Sequence, residues 1–434
     1  YEALNDFLEK KHPNIKGIKP GEKIIKSNEF NKEIPSIISN LNNSYIYIQG
    51  PPGTGKTFQA SNAIIELLKQ NKKIAITGLS HKVIHNLLQR VEDMAAEKQF
   101  KFNGFKKGNL EDDDTIFKGE NIKTYEKDPP FMDALKEKNV GNIFAGTKYH
   151  LANSYYDEKI DYLFIDEAGQ LSLADLISIG NIAKNIVLIG DQNQLGQPIR
   201  GTHPNNSGQS ILEYLLEGKD TIPEDKGIFL NKTYRLNSKI NNFISSNFYE
   251  ERLICDDRTD KRIIKFNNKS IIKKDGIHYI EMKHKNNVQT SIEEFEVVKS
   301  LMKQLIGVEF DDNGKKRKLT ANDFLIISPY NTQVNLLISK LEEEKIKNPR
   351  VGTIDKFQGQ EAPIAIISMT SSDSDSLPRN KEFFFNRNRL NVAISRAQVA
   401  SIILFNPNLL DSSPKNLEQI KLMNNFFKFL NYKV

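Results

Sequence analysis

The feature that most constrains this chain is one turn, Gly50-Pro-Pro-Gly-Thr-Gly-Lys-Thr57. It follows the apolar run Tyr45-Ile-Tyr-Ile-Gln49 and opens a helical stretch through Lys69. A short apolar run closed by such a turn and a helix predicts a buried parallel strand, and so an α/β domain. The turn meets the pattern G-x-x-x-x-G-K-[ST] at every fixed position. Glycines let successive N–H groups wrap a phosphate, and the helix N-terminus adds positive potential. Gly50, Pro52, Gly53, Thr54, Gly55, Lys56 and Thr57 are therefore the candidate phosphate cradle. Lys56 is expected to reach the outer phosphates and the Thr57 hydroxyl to hold Mg²⁺.

A second run, Leu163-Phe-Ile-Asp-Glu-Ala168, ends a buried-type strand in two adjacent carboxylates. Asp166 suits Mg²⁺, and Glu167 is placed to activate an attacking water. Together the two motifs imply hydrolysis of a nucleoside triphosphate with Mg²⁺, and do not say what it drives.

The alternation continues through Lys73–Thr77 (strand), His81–Val91 (helix) and strands at Asn142–Ala145 and Ile186–Ile189. Residues 93–140 break the rhythm and read as an insertion. They interleave Phe100, Phe102 and Phe105 with Lys98, Lys101, Lys106, Lys107 and Lys118. That mixture fits either a strand-contacting subdomain or a small accessory module with its own core. A second unit begins near Asn231, with strands at Gly276–Met282, Phe324–Ser328, Ile364–Ser368 and Ser401–Phe405. Ser291 and Glu294 predict a capping box for a helix to Leu305, and Gly307–Lys318 reads as a loop. The predicted domains are 1–30 (a helix and connector), 31–230 with the insertion, and 231–434.

Composition excludes some classes. Cys255 is the only cysteine of 434 residues, so neither a disulfide framework nor a Cys-rich metal cluster fits this chain. No apolar run reaches about 18 residues, so no membrane partner is expected and a cytoplasmic protein is. The net charge of +6 fits a polyanionic partner or a plain Lys and Asn bias. The chain opens at Tyr1 without Met, as a piece of a longer protein would.

Further segments come in order: Gly190-Asp-Gln-Asn-Gln-Leu195, Thr233-Tyr-Arg-Leu236, Ser328-Pro-Tyr-Asn-Thr-Gln333, Val351–Glu361 and Asn388–Ala397. With the two motifs above, they resemble the motif set of superfamily 1 helicases. The likeness is to branch 1B, which includes the nonsense-mediated-decay RNA helicase and the replication nuclease-helicase. Leu79–Leu87, Asp166–Ala174 and Gly201-Thr-His-Pro204 resemble more closely the helicase half of bacterial RecB-like nuclease–helicase fusions. The resemblance implies two RecA-like P-loop NTPase domains in tandem, with ATP between them. It implies 5′→3′ movement on single-stranded nucleic acid, DNA favoured over RNA, and a nuclease domain before Tyr1. It assigns γ-phosphate sensing to Gln194 and adenine stacking to Tyr234, a residue that otherwise reads as core. Arg235 and Arg396 become arginines on the γ-phosphoryl group, and Glu361 lies near the nucleotide sugar and phosphates. For Arg396 the alternative is a surface ion pair. Ser80, His81, Thr147, Pro329, Asn331, Thr353 and Gln358 become strand contacts, on loops expected opposite the ATP. His81 and His85 lie one helical turn apart, but no carboxylate is placed to complete a metal site. The upstream glutamine that reads adenine in this branch is missing from Glu29–Pro35, and Gln49 is a poor substitute because it lies on a strand.

Overall fold

The computed structural model describes residues 1–27, 29–196, 207–267, 270–373, 386–411, 420 and 424. Gly201–Pro204, part of the bacterial likeness, lies outside them. The chain divides into two compact units. One is Tyr1–Pro51, Gly55–Gln192 and Gly196–Leu230; the other is Pro52–Thr54, Asn193–Leu195 and Asn231–Val434. Apart from Pro52–Thr54 and Asn193–Leu195, the division falls between Leu230 and Asn231, and Tyr1–Pro51 groups with the first unit.

In the first unit the strands are β1 (Tyr45–Gln49), β2 (Ile74–Thr77), β3 (Asn103–Lys107) and β4 (Ile122–Tyr125). They continue with β5 (Asn142–Ala145), β6 (Ile160–Ile165), β7 (Ala183–Gly190) and β8 (Ile228–Phe229). They form one sheet in the order β4-β3-β5-β2-β6-β7-β1-β8, and every pairing is parallel. Parallel neighbours need crossovers, and helices such as Lys56–Lys69 and His81–Glu97 supply them. Both faces are thereby covered, which is why β1, β2 and β5 are buried along their whole length.

Residues 93–140 are not a separate module. β3 and β4 extend the main sheet beyond β5. Phe102, Phe117 and Ile122 join the core formed by Ile74, Ile143 and Leu88. Phe105 stacks between Phe144 and Tyr125, at centroid distances of 5.7 and 5.6 Å. The phenylalanines therefore pack inwards, because the exposed edge of β5 offers a larger apolar surface than the segment alone. Gly104 is required where β3 meets β4, since a Cβ there would lie 2.5 Å from Ile122. Glu92, buried on the helix His81–Glu97, fastens the segment: it accepts from Asn121 N (2.9 Å), Asn121 Nδ2 (2.7 Å) and Ile122 N (2.8 Å).

The second unit contains β9 (Lys232–Thr233), β10 (Ile254–Cys255), β11 (Arg262–Ile264) and β12 (Gly276–Glu281). Then come β13 (Glu309–Asp312), β14 (Lys315–Lys318), β15 (Phe324–Ile327), β16 (Val351–Gly352), β17 (Ala362–Ser368) and β18 (Ala397–Phe405). Its main sheet, β12-β18-β17-β15-β16, is again parallel throughout. The expected α/β class with two parallel-sheet units holds.

Two local expectations fail. Gly307–Lys318 is not a loop but the β13–β14 hairpin, turning at Asn313-Gly314 with β11 alongside. The capping box is only half formed. Ser291 Oγ accepts from Glu294 N, but the buried Glu294 carboxylate turns inward to Thr370 N, Ser368 Oγ and His284. Satisfying those buried donors outweighs closing the cap, and it holds Thr370 at φ +72°.

Glu92→Ala is expected to leave three N–H groups without their acceptor and to cost about 1–3 kcal/mol in denaturant unfolding. Glu92→Gln, which keeps one acceptor oxygen, should cost less.

Candidate active site

Because every strand of the first sheet runs the same way, all leave it at one edge, where α/β sheets bind ligands. β1 leads into the phosphate-cradle turn. Gly50 N donates to Gly190 O at 2.9 Å, tying the start of the turn to the end of β7. Gly53 and Gly55 hold φ +73° and +80°, conformations that side chains disfavour. Lys56 Nζ is folded back onto Gly50 O at 2.7 Å, over the turn where a phosphate would lie.

Asp166 directly follows β6; it is buried, and its Oδ1 accepts from Glu167 N at 2.9 Å. Burial first, then the neighbouring Glu167 charge, push the Asp166 carboxyl up to about 7; Lys56 pulls the other way. No ion pair to Asp166 occurs among the described residues. The Thr57 hydroxyl has no hydrogen bond among them either. A hard cation with oxygen ligands fits this pair, since it would supply the charge the buried carboxylate lacks. Among the described residues no group of three or more His, Cys, Asp or Glu forms a metal site, the His81/His85 pair included. Glu167 holds φ +51°, a strained, left-handed conformation uncommon for a residue with a side chain.

Gln49 is committed to the fold. It donates to Gln192 Oε1 and Asp220 O, and accepts from Ile222 N at 2.8 Å. It cannot serve as an adenine-reading glutamine while those bonds stand.

The remaining nucleotide candidates belong to the second unit. Tyr234 is 46% exposed with Arg258 over its ring at 5.3 Å, so it is not a core tyrosine. Thr233 Oγ1 donates to Pro52 O at 2.8 Å, Tyr234 N donates to Gly53 O at 2.8 Å, and a Cβ on Gly53 would strike the Arg235 side chain. Arg235 pairs with Glu361 through Nε, and its Nη1 donates to Ser395 O at 3.3 Å. Burial alone would push Glu361 up, but Arg235 beside it holds the carboxyl below the usual range. Arg396 is 2% exposed and donates to Val392 O (3.0 Å) and Gln360 O (3.1 Å), so it is not a surface ion pair. Gln194 is buried beside Asn193, whose Nδ2 donates to Phe248 O at 2.7 Å.

The strand candidates gather at sheet edges as well. In the first unit Ser80 and His81 follow β2, and Thr147 follows β5. These loops leave the same edge as the phosphate turn, displaced sideways along it, not from an opposite face; a parallel sheet allows nothing else. In the second unit Pro329 and Asn331 follow β15, and Thr353 and Gln358 follow β16. Pro329 borders an apolar recess with Ile327, Ile354, Met369, Arg389 and Leu390. Sequence reasoning missed Tyr149, which is 79% exposed directly beyond Thr147 and is the kind of ring on which a base stacks. Its signal was an aromatic within two residues of a strand-end threonine.

Comparison with known proteins agrees with this geometry. Two family models, each described as an AAA domain, match residues 34–199 and 207–408. The DNA replication ATP-dependent helicase/nuclease of Schizosaccharomyces pombe is 29% identical over 413 residues, covering 87% of this chain and 28% of its own. The DNA polymerase alpha-associated DNA helicase A of the same organism is 27% identical over 407 residues, covering 80% of this chain and 59% of its own. The chain belongs to the superfamily 1 helicases. It spans 28% and 59% of those two relatives' lengths, and both are eukaryotic. A solved arterivirus helicase in complex with DNA aligns with 14% identity and TM-score 0.43, covering 89% of this chain and 64% of that one. No helix among the described residues of this superfamily 1 chain is long and apolar enough to cross a membrane.

The raised Asp166 gives a pH test. Its folded value, near 7, lies above the ordinary 3.8, so keeping it charged destabilises the fold above about pH 7. That cost is lost as pH falls through 7 and is absent below 3.8. Without nucleotide or divalent ion, Asp166→Asn is expected to raise the thermal midpoint by several degrees at about pH 8 and hardly at all near pH 4. An equal gain at both would contradict this account of the carboxylate.

Proposed function

We propose that the chain is an ATP-driven translocase that moves 5′→3′ along single-stranded nucleic acid, DNA in preference to RNA, and separates duplexes. The observation that carries this reading is the edge of the first sheet. One stretch of it presents a phosphate cradle beside a buried carboxylate; the next presents hydroxyl, imidazole and aromatic groups suited to a sugar–phosphate strand without base readout.

In this reading Lys56 turns from Gly50 O to the β/γ-phosphates, and Thr57 and Asp166 hold Mg²⁺. An ion held there would supply positive charge between the phosphates. Glu167 orients and deprotonates the attacking water. Arg235 and Arg396 leave their present carbonyl and carboxylate partners to meet charge growing on the γ-phosphoryl oxygens. Glu361, released from Arg235, then faces the sugar and phosphates. Gln194 senses the γ-phosphate and Tyr234 stacks on the base. Stacking alone tolerates other bases, in keeping with the missing upstream glutamine. Ser80, His81, Thr147, Pro329, Asn331, Thr353 and Gln358 hold the strand.

One relative is named a DNA helicase and the other a DNA replication helicase/nuclease. They support DNA as substrate and support reading this chain as the helicase part of a nuclease–helicase. The bacterial form of that likeness rests on sequence motifs alone.

Single-stranded DNA is expected to stimulate ATP hydrolysis. Lys56→Ala, Glu167→Gln and Arg396→Ala should each lower the stimulated rate at least about 100-fold. Wild-type turnover in any one sinks the mechanism. Matched RNA should stimulate less, and a 5′-overhang duplex should be opened while a 3′-overhang duplex is not. RNA stimulation alone would make the chain an RNA remodeller; stimulation without unwinding would make it an ATP-gated binder.

A further inference from the structure

Lys106 lies on β3, the edge-extending strand, with no exposed surface. Its ammonium donates to His81 Nδ1 at 2.8 Å, to Lys107 O, and to Thr115 O at 3.4 Å. No carboxylate pairs with it among the described residues, and burial alone pulls it down to about 8. It therefore stays mostly protonated at neutral pH. Burying an unpaired ammonium costs several kcal/mol, while an apolar side chain would fill the same space without that cost. A buried cation that lacks its anion marks a site where a ligand brings one.

The cation's neighbour fixes where. An ammonium can only donate, so His81 Nδ1 must accept, and the neutral ring carries its proton on Nε2. Burial, then Lys106, pull the ring's own value down, while Asp112 pushes it up. Nε2 makes no hydrogen bond among the described residues. His81 opens the helix His81–Glu97 directly after exposed Ser80, whose Oγ accepts from Val83 N. Behind it, His85 packs on Phe117 with ring centroids 5.5 Å apart. Lys106, Thr115 and Phe117 all come from residues 93–140, so this segment delivers a buried charge to the turn after β2.

We propose that Lys106 is a positioning residue for the strand. It locks His81 as an Nε2–H donor and sets a positive charge behind it, and a backbone phosphate of the bound nucleic acid is the counter-ion this cluster lacks. The proposal rests on reading the Ser80–His81 turn as strand-contacting.

The test titrates ATPase stimulation with oligo(dT) at several salt concentrations, for wild type, Lys106→Met, His81→Ala and the double variant. Methionine is unbranched, similar in length and apolar, so the thermal midpoint should not fall. The oligo(dT) concentration for half-stimulation should rise roughly tenfold in Lys106→Met, while the rate at saturating strand changes less than about twofold. The salt dependence should be shallower by up to about one phosphate contact. In the His81→Ala background, Lys106→Met should add nothing. Wild-type half-stimulation in Lys106→Met, or an undiminished loss in the His81→Ala background, overturns the proposal. If His81→Ala alone changes nothing although oligo(dT) stimulates, the turn does not contact the strand and the proposal falls with that contact. If oligo(dT) fails to stimulate wild type, the proposed function itself has failed. A measurement independent of any variant is the ¹⁵N spectrum of histidine-labelled wild type. His81 should show the Nε2–H tautomer, and the Nδ1–H tautomer overturns the proposal.

Discussion

Parallel strand pairing is the constraint on which the rest depends. In both main sheets every neighbour runs the same way, so each strand needs a crossover and each crossover starts at the same edge. Helices cover both faces, the central strands β1, β2 and β5 become buried throughout, and most polar chemistry is left to the strand-end loops. That is why the phosphate turn, Asp166, Glu167, Ser80, His81 and Thr147 gather along one line although they span about a hundred residues of chain. It is also why β3 and β4 matter. By lengthening the sheet they lengthen the line, and Lys106 reaches the turn after β2 from there.

Charge is the second theme, because several ionised groups on helices, strands and loops are carried out of water. Glu92 and Glu294 are stabilised by buried donors that point at them. Arg235 is balanced by Glu361, and Arg396 rests on carbonyl oxygens. Among the described residues, Asp166 and Lys106 have no partner of opposite charge in contact, and both are shifted towards neutrality by burial. In the proposed reading, Asp166 is matched to a cation and phosphates, and Lys106, through His81, to the phosphate of a strand.

The engine was legible because its signals are local. Gly50–Thr57 is a continuous stretch whose glycines need positive φ, and Asp166-Glu167 directly ends an apolar run. Where the decisive contact is distant in sequence, reading fails. Asn103-Gly-Phe-Lys-Lys107 has no β-branched residue and two lysines, so it does not look like a strand. Only the open edge of β5 makes it one. Lys106 reads as a solvated charge beside Lys107, and nothing local says that it is buried against a histidine 25 residues earlier. Glu294 sits three residues after Ser291 as a capping box demands, yet its carboxylate is taken by Thr370 from another strand end. The β13–β14 hairpin is a different miss. Asn313-Gly314 is a strong turn signal, but the exposed Lys315–Lys318 has no apolar alternation to mark a strand.

The central claim is that one edge of the first sheet holds nucleotide and strand on neighbouring, separate stretches. Amide hydrogen exchange across the chain tests it most directly, with a non-hydrolysable ATP analogue plus Mg²⁺ and with oligo(dT), each alone. The analogue should protect residues 50–57 and 166–167, and oligo(dT) residues 79–82 and 146–149, with little overlap. Protection of one common set by both ligands, or none by oligo(dT) in the loops after β2 and β5, would contradict the account.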